Sequence, residues 1–310
     1  MKRLTLKWLA CASLVAPLLL PHASRAAEPI SVVASFSILG DLVKVVGGER
    51  VKVGTLVGPN ADAHTFEPTP ADAKTVLGAR LLVVNGLHFE PWAEKLAKSA
   101  GYKGATVIAS DGIQPRAMSA QEGHTGQDAE GLQHDVDPHA WQNPRNVMLY
   151  VKNIAKSLSS LDPAGASNYQ ANSAAYLKEL EALDADSQAQ FAALTAHQRK
   201  VITSHDAFGY FGARYQIQFL APQGVSTESE PSAKEVALLI RQIKKEKIHA
   251  VFMENMSNSQ LLAQIAKDTG VTLGPKLYVD ALSGPTELGS TYLKMMQHNV
   301  TQLVARMKLN

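Results

Sequence analysis

Ten histidines stand in this chain of 310 residues, beside a single cysteine. Three of them and one aspartate share a setting that the others lack. His64 lies in a polar loop, Gly58-Pro59-Asn60-Ala61-Asp62-Ala63-His64-Thr65-Phe66-Glu67-Pro68, beyond a predicted strand. His139 lies in Asp137-Pro138-His139-Ala140-Trp141-Gln142-Asn143-Pro144, where prolines restrict the backbone. His205 follows the strand-like run Val201-Ile202-Thr203-Ser204, and Asp280 follows Leu277-Tyr278-Val279. Open parallel sheets bind ligands outside the carboxyl ends of their strands, so side chains from such loops can converge on one crevice. Three imidazoles and a carboxylate would complete a tetrahedral or slightly expanded shell for Zn²⁺. Spacing adds little, because the four are far apart in sequence and no paired HExxH-type motif is present.

The elements that must position these groups alternate. Short β-rich runs at 30–36, 51–57, 80–85 and 105–109 are interleaved with helical patterns at 38–46, from Thr69-Pro70, and at 91–100. That alternation predicts a parallel sheet covered by helices, an α/β lobe over 27–161. From 116 to 137 the pattern stops, and Gly123, Gly126 and Gly131 sit among polar residues with His124 and His134. This reads as a loop, either a mobile connector or a segment that catches metal. Asn143-Pro144 opens a capped helix to about Ser159. Asp162-Pro163 then opens a long one to Leu194, with Tyr169, Tyr176, Leu180, Leu183, Phe191 and Leu194 at helical spacing. At 1.5 Å per residue it would run roughly 45 Å, more than one compact lobe needs, so 162–195 is expected to join two lobes.

The second lobe, 196–310, repeats the alternation. Strands are expected at 200–204, 217–220, 248–253 and 277–279. Helices are expected at 207–215, from the capping box Ser232-x-x-Glu235, from Ser257-x-x-Gln260 to Gly270, and at 292–307. No short repeat is present.

Composition narrows the class. Lys2, Arg3 and Lys7 precede an apolar run from Trp8 to Leu20 and the small-residue stretch Ala23-Ser24-Arg25-Ala26-Ala27. Residues 1–26 thus read as a cleavable secretory signal rather than a membrane span, the run being too short for one. Its removal takes away four basic residues and no acids, so the net charge of +2 becomes −2, from 26 basic and 28 acidic residues. Nucleic-acid binding gets no electrostatic support from that balance. Cys11 would leave with the signal, so thiolate ligands and disulfides are excluded from the exported chain.

The combination of His64-Thr-Phe-Glu-Pro, Asp-Pro-His139-x-Trp, and strand-terminal His205 and Asp280 around a long helix resembles the zinc- and manganese-binding solute receptors of ABC importers, over essentially the whole mature chain. The resemblance implies two βαβ lobes bridged by one rigid helix, with a metal ion buried between them. It implies a monomeric periplasmic protein that performs no reaction and delivers its ion to a membrane ABC permease, with a periplasmic metallochaperone as a conceivable donor. Carried over by position, His64, His139, His205 and Asp280 would be the ligands. Manganese members commonly have a glutamate where His205 stands, so the imidazole favours Zn²⁺ as cargo and leaves manganese as the alternative. Two features depart from the family: the 116–137 loop is short and poor in histidine, and the second-lobe disulfide of some members is missing. A secreted zinc hydrolase would need an open water position, which Asp280 would fill.

Other groups stand near these. His88 in Asn85-Gly-Leu-His-Phe-Glu90 comes after a strand and is expected at the crevice or its rim, without a ligand role. His197, His249 and His298 read as surface or packing residues. Asp137, Asp206, Glu67 and Glu254 are candidates to accept the second N–H of a ligating imidazole.

Overall fold

The computed structural model describes residues 28–117, 136–228, 230–256 and 259–310. The apolar run β1 (Ile30–Phe36) opens the first lobe and leads directly into α1 (Ser37–Gly47). Then come β2 (Val51–Val57), α2 (Pro70–Leu77), β3 (Leu81–Val84), α3 (Pro91–Ala100) and β4 (Ala105–Ile108). All pairings are parallel, in the order β2-β1-β3-β4, with Val32 opposite Leu81 and Leu81 opposite Ala105. β1 is buried along almost its whole length, as expected of a strand covered on both faces. The chain runs from β1 out to β2 on one side and returns to β3 on the other, so the topological switch point lies between the carboxyl ends of β1 and β3.

The helices begin where the sequence signals them. Thr69 and Asp72 form a reciprocal capping box with Pro70 in the first turn of α2, and Ser232 and Glu235 do the same for α7 (Ala233–Glu246). The Asn143 side chain accepts from the Arg145 amide at the start of α4 (Pro144–Leu161). The long helix differs in its start. Asp162 does not cap it, because its carboxylate is engaged by Arg50 Nε at 2.7 Å and by the Tyr169 hydroxyl at 2.8 Å. A 3₁₀ turn over Pro163–Gly165 intervenes, and α5 runs from Ala166 to Ala192. Its 27 residues span about 40 Å. Tyr169, Tyr176, Leu180, Leu183 and Phe191 are buried, against α4 and α1 on one side and α9 (Tyr292–Met307) and α6 (Gly209–Tyr215) on the other.

The second lobe carries β5 (Lys200–Ile202) and β6 (Gln218–Leu220), paired in parallel. The runs expected as strands at 248–253 and 277–279 contribute only bridges, Ile202 to Val251 and Glu254 to Leu277. The parallel bonding continues through them, from Phe252 N to Ile202 O at 2.9 Å and from Leu277 N to Met253 O at 2.9 Å. The backbone bonds along each run are too few to build a ladder. Helix α8 (Ser259–Thr269) comes next, and Ser257, its expected cap, lies outside the described residues, as do residues 1–27 and the histidines 124 and 134. The larger hydrophobic core runs from β1 through α4 and α5 into Phe208, Phe211, Phe252, Leu277 and α9. A smaller one, of Ile202, Leu239, Ile243, Ile248, Val251, Leu262 and Ile265, lies under α7 and α8. No helix among the described residues is long and apolar enough to cross a membrane.

Candidate metal centre

His64 and His205 follow the carboxyl ends of β2 and β5, His139 precedes a 3₁₀ turn over Ala140–Gln142, and Asp280 follows the bridged run at Leu277; one potential ligand atom from each lies within 4.8 Å of all the others. His64 Nε2 stands 3.3 Å from His139 Nε2 and 3.3 Å from Asp280 Oδ2. His205 Nε2 is 3.0 Å from Asp280 Oδ2, and His139 Nε2 is 3.8 Å from Asp280 Oδ1. All four side chains are buried, the His64 side chain being 6% exposed and the rest 0%. Burying this much polarity without compensation costs several kcal/mol. His205 Nε2 and both Asp280 oxygens nevertheless have no hydrogen-bond partner among the described residues. A buried imidazole nitrogen and two carboxylate oxygens left without a partner, beside two further imidazole nitrogens, are a donor set that a cation would satisfy.

Behind the inner atoms, carboxylates orient the rings. Asp137 Oδ1 accepts from the His139 backbone amide and lies against Nδ1, both at 2.9 Å. Glu254 takes the Ser204 and His205 amides on Oε1, at 2.8 and 3.1 Å, while Oε2 lies 2.5 Å from His205 Nδ1. Each partnership directs Nε2 inward and makes it a better donor. Asp137 and Glu254 thus stand where the sequence put such acceptors. Glu67, by contrast, is exposed, and Asp206 lies in the turn after His205, its amide donating to the Gly224 carbonyl at 3.1 Å. His64 is set differently: its amide donates to Asp62 Oδ1 at 2.8 Å, and its ring meets Phe89 edge-on at 4.8 Å.

Proton equilibria are set by this packing. Burial opposes the charge on His205, but Glu254 and Asp280 outweigh it and raise its pKa well above the ordinary imidazole range. Burial likewise opposes ionisation of Asp280, yet the His205 and His139 rings hold its carboxyl well below the usual range. His64 is pushed down, by burial first and despite Asp280. The shifts of His205 and Asp280 run in opposite directions, each favouring the charged form of its own group.

The two lobes are sewn together around these residues. Trp141 Nε1 and Gln142 Nε2, just past His139, both donate to the Val279 carbonyl that precedes Asp280, at 3.0 and 2.9 Å. Leu282 N donates to Ser37 Oγ at 2.9 Å, and its carbonyl accepts from Asn60 N at 2.8 Å. Thr227 Oγ1 donates to Asp62 Oδ2 at 2.6 Å.

His88 is exposed, outside the cluster, in a left-handed backbone at φ 60° after Leu87 at φ 55°. Its neighbour Phe89 faces inward instead, packing on His64, His139, Phe36 and Trp141. Sequence reasoning passed over Phe89; the signal was the Asn85-Gly86 turn, which redirects the chain just ahead of this ring. His197 and His249 are exposed, and His298 lies against Tyr278 with Nε2 2.9 Å from the Lys276 carbonyl.

A parallel α/β pair of lobes, joined by one long helix and closing a three-histidine, one-carboxylate cluster between them, is the architecture of a metal-binding solute receptor. The family model described as zinc-uptake complex component A, periplasmic, matches residues 32–306, and the chain belongs to that family of ABC-transporter receptors. Among curated relatives, the iron-binding protein YfeA of Yersinia pestis is 32% identical over 277 residues, covering 89% of this chain and 86% of its own. The manganese-binding lipoprotein MntA of Halalkalibacterium halodurans is 31% identical over 282 residues, covering 91% and 90%. Among solved structures, the periplasmic zinc-binding protein TroA of Treponema pallidum superposes with a TM-score of 0.80 at 28% identity, over 91% of this chain and 99% of that one. The Mn-bound periplasmic metal-binding protein of Candidatus Liberibacter asiaticus gives 0.78 at 29%, over 90% and 99%.

Proposed function

We propose that this protein is the periplasmic receptor of a zinc ABC importer, holding one Zn²⁺ on His64, His139, His205 and Asp280 and handing it to a membrane permease. The observation that carries the reading is the convergence of three imidazole nitrogens and one carboxylate, all buried and within 4.8 Å. Imidazole suits zinc, whereas the harder Mn²⁺ gains from each added carboxylate oxygen, and zinc stands above manganese in intrinsic affinity for nitrogen ligands. The reading includes export by the N-terminal signal, a monomer of two lobes at 27–161 and 196–310 around the linking helix, and a metallochaperone donor. It assigns no catalysis, since Asp280 occupies the position where a hydrolytic zinc site would keep its water.

Manganese is the second reading, favoured by relatives named for binding manganese and by the Mn-bound solved structure. Metal analysis of the purified protein and chelator competition separate the two. The expected result is zinc bound at least about a hundredfold more tightly than manganese. His205→Glu should narrow that gap, and His205→Ala should weaken both metals. Equal affinity for the two metals in the wild type would overturn the zinc assignment, and unchanged zinc binding in His205→Ala would remove that residue from the shell.

A further inference from the structure

Glu90 is 5% exposed and lies at the switch point of the first sheet, between the ends of β1 and β3. Its Oε1 accepts from Ser35 Oγ at 2.8 Å and from the Asn85 backbone amide, while Oε2 has no hydrogen-bond partner among the described residues. A helix-initiating Glu ahead of Pro91 would normally face water, yet this one turns inward and makes no cap bond with α3. From Asn85 the network reaches the centre: Asn85 Nδ2 donates to the Pro138 carbonyl, next to His139, at 3.0 Å. The Tyr150 hydroxyl of α4 donates to Asn85 Oδ1. Between Asn85 and Glu90 the backbone passes through three consecutive left-handed residues, Gly86, Leu87 and His88. Two of them are not glycine, each costing on the order of 1 kcal/mol. That segment ends in Phe89, the ring packed on His64 and His139.

We propose that Glu90 is a positioning residue for the metal centre, which as a carboxylate tightens the segment holding Phe89 and the His139 turn and favours the cation, and which loosens that hold when protonated. The inference rests on the metal-receptor reading above. Ionised acceptors make hydrogen bonds roughly twice as strong as neutral ones, so charge on Oε1 stiffens the bonds from Asn85 and Ser35. Burial pushes the Glu90 pKa up to about 7, against the lowering by Asn85 and Ser35. The polar groups meeting it are Ser35 from β1, Asn85 and the Gly86 amide from its own loop, and Tyr150 from α4. Only Tyr150 among those partners titrates, and its pKa is raised well above the ordinary range, mainly by burial.

The test is zinc affinity by chelator competition across pH for wild type and Glu90→Gln, taken as a ratio so that the titration of the ligands themselves cancels. The ratio is expected to be near one at about pH 5.5, where Glu90 is protonated, and to reach about tenfold weaker binding in the variant at about pH 8.5. A purely structural role gives a ratio independent of pH, and a flat ratio, including unity throughout, overturns the proposal. Should Glu90→Gln fail to fold, Ser35→Ala decides the matter: losing one donor to the carboxylate must move the bend in the pH profile upward, and an unmoved bend overturns the proposal. Zinc bound with a flat ratio removes only the role of Glu90, whereas no zinc binding at any pH removes the receptor reading as well.

Discussion

At the scale of single residues, the proposed metal site is also a proton site. With the His205 pKa raised and that of Asp280 lowered, the proposed zinc site requires the ion to compete with a proton for His205. The sign is fixed by the direction of that shift: His205 holds its proton to higher pH than a free imidazole, whose pKa is about 6.5. Zinc affinity should therefore rise with pH across the neutral range and fall as acid is added, with about one proton released per zinc near neutrality. Calorimetry in buffers of different ionisation enthalpy measures that proton, and affinity that is flat across the neutral range would contradict it. The four proposed ligands were legible because proline-fixed turns and strand ends are local signatures, as were Asp137 and Glu254 as acceptors. Glu90 and Phe89 were not legible. An acid before Pro91 looks in sequence like a helix start, and only the tertiary path of Asn85 to Glu90 turns it inward.

At the scale of elements, the linking helix is anchored by one buried acid. Asp184, 1% exposed on α5, accepts from Arg145 Nε of α4 at 2.7 Å and from Arg214 Nε and Nη2 of α6 at 2.8 and 2.6 Å. The Tyr215 hydroxyl donates to it as well, at 3.1 Å. Arg145 begins the helix after the His139 turn, and α6 comes after the His205 loop, so one carboxylate ties together the elements that follow two of the proposed ligands. Asp184→Asn leaves two guanidinium groups short of charge, and it should cost about 3 kcal/mol in urea unfolding at neutral pH. Burial opposes ionisation of Asp184, but Arg214 and Arg145 prevail and hold its pKa low. Its contribution is therefore present above the unfolded carboxylate pKa, about 3.9, and is lost as pH falls toward the folded value. The difference between wild type and variant should shrink in acid, and a constant difference would deny the ion cluster its role. The helix itself was legible from its apolar spacing; its first turn was not, since the contact of Arg50 with Asp162 joins residues 112 positions apart.

At the scale of the whole molecule, the two lobes share one core and are bonded to each other directly. The larger core is continuous from β1 to α9, and Val279 and Leu282, on either side of Asp280, are bonded to Trp141, Gln142, Ser37 and Asn60 of the first lobe. One continuous helix and such bonding leave little freedom for hinge motion, so metal should act through local loops rather than wide closure. Small-angle scattering of metal-free and zinc-loaded protein should give nearly equal radii of gyration, and a large contraction on loading would refute this. The alternation of strands and helices made the two-lobe plan legible, whereas the sharing of one core by both lobes depends on contacts that no local pattern encodes. The separate small core under α7 and α8 has another consequence. A layer that buries its apolar surface apart from the main core forms its own cooperative folding unit, free to open while the rest stays closed. Glu254, the acceptor for His205, comes three residues after Val251 of this small core, and His205 three residues after its Ile202. Opening of this layer would loosen the two segments that lead to Glu254 and to the proposed ligand His205, and would leave the bonds between the lobes intact.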